Sequence, residues 1–256
     1  MRLEASLREQ RDRGRKLLVP YVTGGLGASW LDVVRASAAA GADAVEIGIP
    51  FSDPMMDGKT IQEASQRALV LGATPAGVIE QVADLDVGVP LVVMTYYNLV
   101  AHMGHERFAS SLASAAIDAA IVPDLPLDEL DGWGGAASDA GVETVLLAAP
   151  STTDERLAAI CARTRGFVYG VALMGVTGER AVLSTHAAEM GRRLKQMTDR
   201  PALLGVGIST PAQAAEAAAS ADGVIVGSAL VRILLKGGGP DEAGAFVASL
   251  RAALDA

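Results

Sequence analysis

The sequence predicts an α/β protein, a (β/α)8 TIM barrel with an extra helix at its N-terminus. Eight short apolar runs rich in Val, Ile and Leu recur along the 256 residues, which is typical of parallel strands covered on both faces. Each run is followed by a segment with helical periodicity. The chain length is also typical of one such barrel, so we expect residues 1–256 to form a single domain.

The predicted strands alternate with helices along the whole chain. They cover residues 17–22, 44–49, 90–96, 119–122, 143–149, 166–173, 202–208 and 221–226. An open doubly wound sheet is the alternative arrangement of such units. That fold normally carries a glycine fingerprint in its first βα turn, which Thr23-Gly24-Gly25-Leu26-Gly27 matches only vaguely. A closed barrel is therefore the better prediction.

The predicted helices fill the segments between the strands. An Arg-rich amphipathic segment over residues 3–15 precedes the first strand and is the extra helix. The others cover residues 29–40, 60–70, 75–84, 106–116, 127–140, 153–164, 186–198 and 210–220, with further helical segments from residue 227 to the end. Three of them start at a side chain that can cap the first turn: Ser29, Thr60 and Thr153.

The charge balance limits the partners of the chain. It has 21 Lys and Arg against 30 Asp and Glu, a formal net charge of -9, which argues against nucleic acid and anionic membranes. The single cysteine, Cys161, excludes an internal disulfide, fits a reducing compartment and is expected to be a buried helix residue. No signal-peptide pattern is present, and no apolar run approaches the roughly 18 residues of a membrane span. We therefore expect a cytoplasmic protein.

The first candidates for chemistry lie in residues 45–60, V-E-I-G-I-P-F-S-D-P-M-M-D-G-K-T. The first half alternates as a strand, with Val45 and Ile47 on one face and Glu46 on the other, so Glu46 is expected to point into the barrel. The second half is a loop that leaves the carboxyl end of this strand and carries Asp57. Because barrel active sites lie at that end, the two acids are predicted to flank one site. Each acid also has a structural alternative. Glu46 could be paired to a buried Lys or Arg, and Asp57 could be a turn residue.

Glycine-bearing segments follow the last three strands, at residues 175–178, 207–209 and 227–228. Barrels often bind a phosphate where the loops after strands seven and eight meet a short helix, here predicted over residues 229–236. Backbone N–H groups and the helix dipole both favour an anion at such a place, so an acidic chain needs few basic side chains there. The alternative is that these glycines only serve tight turns.

Other motifs are incomplete. Gly58-Lys59-Thr60 resembles the end of a P-loop, but Asp53 stands where the first glycine of that motif belongs. His102, His105 and Glu106 are a poor zinc set, so we expect a solvated loop there and no metal. Three tyrosines lie at or beside strand ends, where each either faces a substrate or belongs to the core: Tyr21, Tyr96 and Tyr169.

Several segments together resemble one known family, the tryptophan synthase alpha chain, over essentially the whole length. They are E-I-G-I-P-F-S-D-P-M-M-D-G at 46–58, P-D-L-P at 123–126, G-V-T-G at 175–178 and D-G-V-I-V-G-S at 222–228. The resemblance implies a barrel that splits indole-3-glycerol phosphate into indole and glyceraldehyde 3-phosphate. It also implies an α2β2 complex whose pyridoxal-phosphate beta chain receives the indole through a tunnel.

The resemblance also implies roles for individual residues. Glu46 is the acid/base that moves a proton between the glycerol hydroxyl and indole C3, and Asp57 stabilises the indole N–H as positive charge develops. Thr177 is the loop threonine that closes towards Asp57. The matching phosphate ligands are Gly178, Gly207, Gly227 and Ser228, and the matching aromatics of the substrate pocket are Tyr21, Tyr96 and Tyr169. This chain is expected to need no metal or cofactor, since pyridoxal phosphate belongs to the beta chain.

The chain departs from the family pattern at three places. Gly25-Leu26-Gly27 stands where Gly-Asp-Pro is usual, Lys59 where proline is common, and Ala172 where serine is usual. The leading hypothesis is a tryptophan synthase alpha subunit. Lys59 and the altered first loop suggest a second one, a stand-alone lyase that releases free indole for a specialised pathway. A third is a non-catalytic barrel that binds and activates a beta-type partner.

Overall fold

The computed structural model describes residues 2–171 and 180–256, and within them the strands form one closed parallel barrel. Neighbours in the barrel follow the chain order, and the last strand pairs with the first. The predicted (β/α)8 barrel is confirmed. The strands are β1 Leu17–Thr23, β2 Val45–Gly48, β3 Leu91–Met94, β4 Ala119–Ile121, β5 Glu143–Ala148, β6 Val168–Val171, β7 Ala202–Gly205 and β8 Gly223–Val226.

The helices form the outer layer, apart from the N-terminal one. They are α1 Arg2–Asp12, α2 Trp30–Ala39, α3 Lys59–Val70, α4 Pro75–Val82, α5 Tyr97–Met103, α6 His105–Ser114, α7 Leu130–Asp139, α8 Asp154–Arg163, α9 Arg180–Met197, α10 Pro211–Ala218, α11 Ser228–Leu235 and α12 Pro240–Leu254. No helix of the described chain is long and apolar enough to cross a membrane. Cys161 is buried in α8, as expected.

The predicted helix starts are partly confirmed. The Thr153 hydroxyl caps α8 by accepting a hydrogen bond from the backbone N–H of Arg156. Ser29 does precede α2, but its side chain makes no capping hydrogen bond. The prediction that Thr60 caps the next helix is wrong, because Gly58 already has the extended backbone of the preceding cap position and α3 begins at Lys59.

Two further expectations about the helices need correction. Helix α5 was not predicted, because it is short and buries only Val100, which leaves almost no periodic signal. Gly104, with a φ of 90°, separates α5 from α6 in a conformation that favours glycine. His102 and His105 therefore lie on helices rather than in a solvated loop. The predicted helix over 127–140 is divided into a 3-10 turn, Leu127–Glu129, followed by α7.

Several strands end earlier than predicted at their carboxyl ends. The third was expected to reach Tyr96 but ends at Met94, and the seventh was expected to reach residue 208 but ends at Gly205. The residues directly beyond these strand ends, which include Tyr96 and Gly207, form the rim of the barrel. That rim is where the candidate site lies.

Helix α1 closes the opposite, amino-terminal end of the barrel. Leu3 and Leu7 are fully buried and pack against the interior side chains of the strands. Those interior residues include Leu17, Val19, Val92, Ala119, Val145, Phe167, Leu203 and Ile225. Arg8 ties the helix to Asp199 through a 2.6 Å ion pair. The buried carboxyl of Glu143 also lies at this end, where its Oε2 accepts a 2.8 Å hydrogen bond from the Glu4 N–H. Among the described residues, this end of the barrel is filled, and the candidate cavity lies at the carboxyl ends of the strands.

Candidate active site

Glu46 is the acid in the barrel interior at the carboxyl ends of the strands, whereas Glu143 of β5 lies at the opposite end and accepts a hydrogen bond from the backbone N–H of Glu4. It lies on β2 opposite Tyr21 of β1 and Val92 of β3, and only 1% of it is exposed. Its Oε2 atom is buried without a hydrogen-bond partner, and Glu46 forms no ion pair with any described residue. The described residues therefore do not support the alternative that Glu46 is a structural acid paired to Lys or Arg. Burial, reinforced by the charge of Asp57, raises the pKa of Glu46 to about 8, so the carboxyl is mainly protonated at neutral pH.

Asp57 faces the same interior from the loop between β2 and α3. Its Oδ2 accepts a 3.0 Å hydrogen bond from the hydroxyl of Tyr96. Its backbone is held as well, since the carbonyl accepts a 2.8 Å hydrogen bond from Nε2 of Gln62 on α3. Burial raises the pKa of Asp57 to about 6, while the Tyr96 hydrogen bond opposes that rise. At neutral pH Asp57 is therefore mainly a carboxylate beside a mainly protonated Glu46.

Two tyrosines complete the interior and depend on glycines of neighbouring strands. The Tyr21 ring lies over Gly48 of β2, where an added Cβ would overlap the tyrosine hydroxyl. The Tyr169 ring lies over Gly205 of β7 in the same way. Burial raises the pKa of both hydroxyls, so both remain protonated hydrogen-bond donors. The glycines thus admit aromatic rings that carry polar tips into the site.

These groups line one cavity of about 250 Å³ at the carboxyl ends of the strands. Seven of the predicted site residues are among its lining: Tyr21, Glu46, Asp57, Tyr169, Gly207, Gly227 and Ser228. Tyr96 contacts Asp57 and lines a neighbouring cavity with Phe51, Met56 and Pro123. Thr177 and Gly178 lie outside the described residues. The roles assigned to all ten residues remain predictions.

Sequence reasoning missed the apolar walls of this cavity. They come from the carboxyl ends of five strands: Met94, Ile121, Leu147, Val171 and Ile225. Each occupies the inward position of its strand, as Glu46 does on β2. The alternation of the strands contained this signal, because the last inward residue of every barrel strand faces the site.

The far side of the cavity is formed by backbone rather than by basic side chains. Gly207, Gly227 and Ser228 lie there, and Gly227 is the residue that precedes α11. The first N–H groups of a helix have no partner inside the helix, so they are available to an anion. Neither Lys nor Arg is among the described residues that line the cavity. No group of three or more His, Cys, Asp or Glu among the described residues is placed to hold a metal ion.

A closed (β/α)8 barrel with two acids, apolar walls and a helix N-terminus around one cavity at the carboxyl ends of its strands is typical of a barrel enzyme. Comparison with known proteins identifies the family. A model of the tryptophan synthase alpha chain family matches residues 7–250. The chain belongs to the tryptophan synthase alpha chain family, which is a family of lyases.

Individual relatives agree with this family. The tryptophan synthase alpha chain of Thermobifida fusca is 44% identical over 91% of this chain and 88% of its own length. That of Xanthomonas oryzae is 41% identical over 99% of this chain and 98% of its own. A solved structure of Mycobacterium tuberculosis tryptophan synthase has a TM-score of 0.91 at 38% identity, covering 99% of this chain and 98% of that chain. These comparisons favour the alpha-subunit hypothesis over the stand-alone lyase and the non-catalytic barrel.

We predict that Gly48→Ala is destabilising because the new methyl group displaces the Tyr21 ring. Overpacking of this kind costs about 1–3 kcal/mol in the free energy of unfolding, measured by chemical denaturation. The matched control is Gly135→Ala on α7, where an added Cβ meets no atom within 4 Å. The control is expected to gain up to about 1 kcal/mol from helix propensity. Equal stability of the two variants would contradict the assigned packing of Tyr21.

Proposed function

We propose that this chain cleaves indole-3-glycerol phosphate by a retro-aldol reaction and passes the indole to a tryptophan synthase beta chain. One observation carries the proposal. The buried carboxyl of Glu46, which forms no ion pair with a described residue, and the carboxylate of Asp57 face one cavity that ends at the N-terminus of α11. The cavity thus combines an acid, a carboxylate and an anion site with apolar walls suited to an indole ring.

Glu46 supplies the proton transfers in this mechanism. As the protonated form, it gives its proton to indole C3, and the ring takes on positive charge. Its carboxylate then removes the proton of the adjacent glycerol hydroxyl, which becomes the carbonyl of glyceraldehyde 3-phosphate. The electron pair of the broken carbon–carbon bond returns to the ring and restores neutral indole. Glu46 ends the cycle protonated, as it began.

Asp57 stabilises the charge that develops on the ring. Its carboxylate accepts a hydrogen bond from the indole N–H, and this hydrogen bond strengthens as positive charge forms on the nitrogen. The apolar walls exclude water around both groups, which makes the electrostatic interaction stronger than in solvent. Backbone N–H groups near Gly207, Gly227 and Ser228 hold the phosphate, aided by the dipole of α11.

The proposal includes a partner but no cofactor of this chain. The retro-aldol step needs one carboxyl group that transfers protons and one carboxylate that stabilises charge. Because both groups are side chains of this chain, the step needs no cofactor here, and pyridoxal phosphate is assigned to the beta chain. The loop with Asp57 also exposes two apolar side chains, Met55 at 90% and Met56 at 53%. Exposed apolar side chains beside a site are typical of a surface that a partner covers.

We predict that Glu46→Gln abolishes indole formation, because an amide cannot exchange the proton. The expected loss in kcat is at least about 10²-fold, the usual contribution of a general acid–base group. Indole release from indole-3-glycerol phosphate is the measurement, with Glu80→Gln on the exposed side of α4 as the matched control. Because the Gln side chain has nearly the same shape, the circular dichroism spectrum is expected to remain unchanged. Retained turnover would remove Glu46 from its assigned role.

We predict that a tryptophan synthase beta chain strongly raises indole release by the purified chain. Met55→Asp is expected to weaken this stimulation while leaving the turnover of the isolated chain unchanged, because Met55 is exposed and lies outside the Glu46 cavity. Fast turnover that the beta chain does not change would favour a stand-alone lyase instead. No turnover under either condition would favour the non-catalytic barrel.

We predict a bell-shaped pH dependence of kcat/KM. Activity falls as the pH drops through about 6, because Asp57 becomes protonated and no longer accepts the indole N–H. Activity also falls as the pH rises through about 8, because Glu46 loses the proton that it donates first. Steady-state kinetics across this range is the measurement. A profile that stays flat through both values would show that the two acids do not titrate in the reaction.

A further inference from the structure

Tyr96 connects β3 to the loop that carries Asp57. It is 4% exposed, and its hydroxyl makes two hydrogen bonds to that loop. The hydroxyl accepts a 3.0 Å hydrogen bond from the Met56 N–H and donates a 3.0 Å hydrogen bond to Asp57 Oδ2. Its ring stacks on Phe51, with centroids 5.0 Å apart and an interplanar angle of 23°. One side chain thus contacts three residues of the loop.

The hydrogen bond from Tyr96 distinguishes the two carboxylate oxygens of Asp57. Oδ2 is occupied by the tyrosine, while no donor among the described residues contacts Oδ1. Tyr96 reaches Asp57 from a neighbouring cavity, whereas Asp57 itself lines the cavity that contains Glu46. The tyrosine therefore leaves one oxygen of the Asp57 carboxylate free to bind a ligand. Tyr96 itself does not line the cavity that contains Glu46.

We propose that Tyr96 is a positioning residue, whose hydroxyl holds Asp57 Oδ2 and the Met56 amide so that Oδ1 is presented to the N–H of the substrate ring. This inference rests on the proposed function, since it assigns a ring N–H to Asp57. It differs from the role that family resemblance implies, in which Tyr96 is an aromatic contact of the substrate. The two roles can be distinguished by experiment, because a positioning residue affects the reaction only through Asp57, whereas an aromatic contact affects substrate binding directly.

The electrostatic surroundings agree with this geometry. Burial raises the pKa of Tyr96, so the phenol stays protonated and donates to the carboxylate. The hydrogen bond in turn lowers the pKa of Asp57 against the effect of burial. Among the described residues, the other titratable or charged groups around the pair are Tyr21 on β1, Glu46 on β2, Tyr169 on β6, Asp124 after β4, Asp53 on the loop itself, and Lys59 at the start of α3.

The next residue offers a matched control. Tyr97 begins α5, and its hydroxyl lies 3.0 Å from Nε2 of His105 rather than near Asp57. Its backbone N–H donates to Asp124 Oδ1 at 2.8 Å. Tyr97→Phe therefore removes a tyrosine hydroxyl one residue away without touching the Asp57 carboxylate.

The test compares Tyr96→Phe with wild type and Tyr97→Phe. In Tyr96→Phe, kcat/KM is expected to fall about tenfold, mostly through kcat, because the lost interaction counts most when the ring is charged. The acid limb of the pH profile is expected to move up by as much as about one pH unit, since Asp57 loses the donor that lowers its pKa. Tyr97→Phe is expected to leave the acid limb in place. An unchanged acid limb in Tyr96→Phe would overturn the proposal.

A second measurement does not depend on turnover. The carboxyl ¹³C signal of Asp57, assigned with Asp57→Asn, is titrated in wild type and in Tyr96→Phe. A higher pKa in Tyr96→Phe supports the positioning role, and an identical pKa overturns it. If wild type released no indole, the proposed function would fail while this titration still tested the contact. If Tyr96→Phe did not fold, 3-fluorotyrosine at position 96 keeps the ring and, as a stronger donor, is expected to lower the pKa of Asp57, whereas no change would overturn the proposal.

Discussion

The burial of the Glu46 carboxyl is the constraint on which the rest of the site depends. A buried acid without a partner is unfavourable as an anion, so the barrel stabilises it as the neutral form. Asp57 increases this preference because two carboxylates in one cavity repel each other. The same conditions that make the residue costly to bury also make it a proton donor at neutral pH. The burial of Glu46 therefore determines both its cost to stability and its role as a proton donor.

The barrel accommodates this site by varying side-chain size between neighbouring strands. Apolar residues and the N-terminal helix fill the lower layers, where Leu3 and Leu7 are fully buried. In the upper layer, Gly48 and Gly205 leave room for the rings of Tyr21 and Tyr169. The strand ends therefore hold large polar aromatics within a narrow barrel, and few of the described residues that line the resulting cavity can carry charge.

The loop between β2 and α3 combines three functions within a few residues. Asp57 faces the cavity, Met55 is exposed outside it, Met56 is half-exposed at its edge, and Phe51 stacks on Tyr96. A partner that covers the methionines would contact the same loop that carries the carboxylate. Under the proposed function, binding at the outer surface and chemistry at the inner one are therefore linked through a short, well-anchored segment.

The sequence alone determined the order of the strands, the inward direction of Glu46 and the cap of α8 at Thr153, although it missed α5. These features depend on alternation and capping among adjacent residues, which local physics decides. It also brought Asp57, Gly207, Gly227 and Ser228 to one end of the barrel, because parallel strands share their carboxyl ends.

Only the tertiary structure decided which side chains meet across the barrel. Alternation gives no register between strands, so the pairing of Tyr21 with Glu46 and the fit of its ring over Gly48 were not readable from the sequence. The contact between Tyr96 and Asp57 joins residues 39 positions apart. Such contacts depend on the closure of all eight strands into one ring, which brings together residues with no local signal for each other.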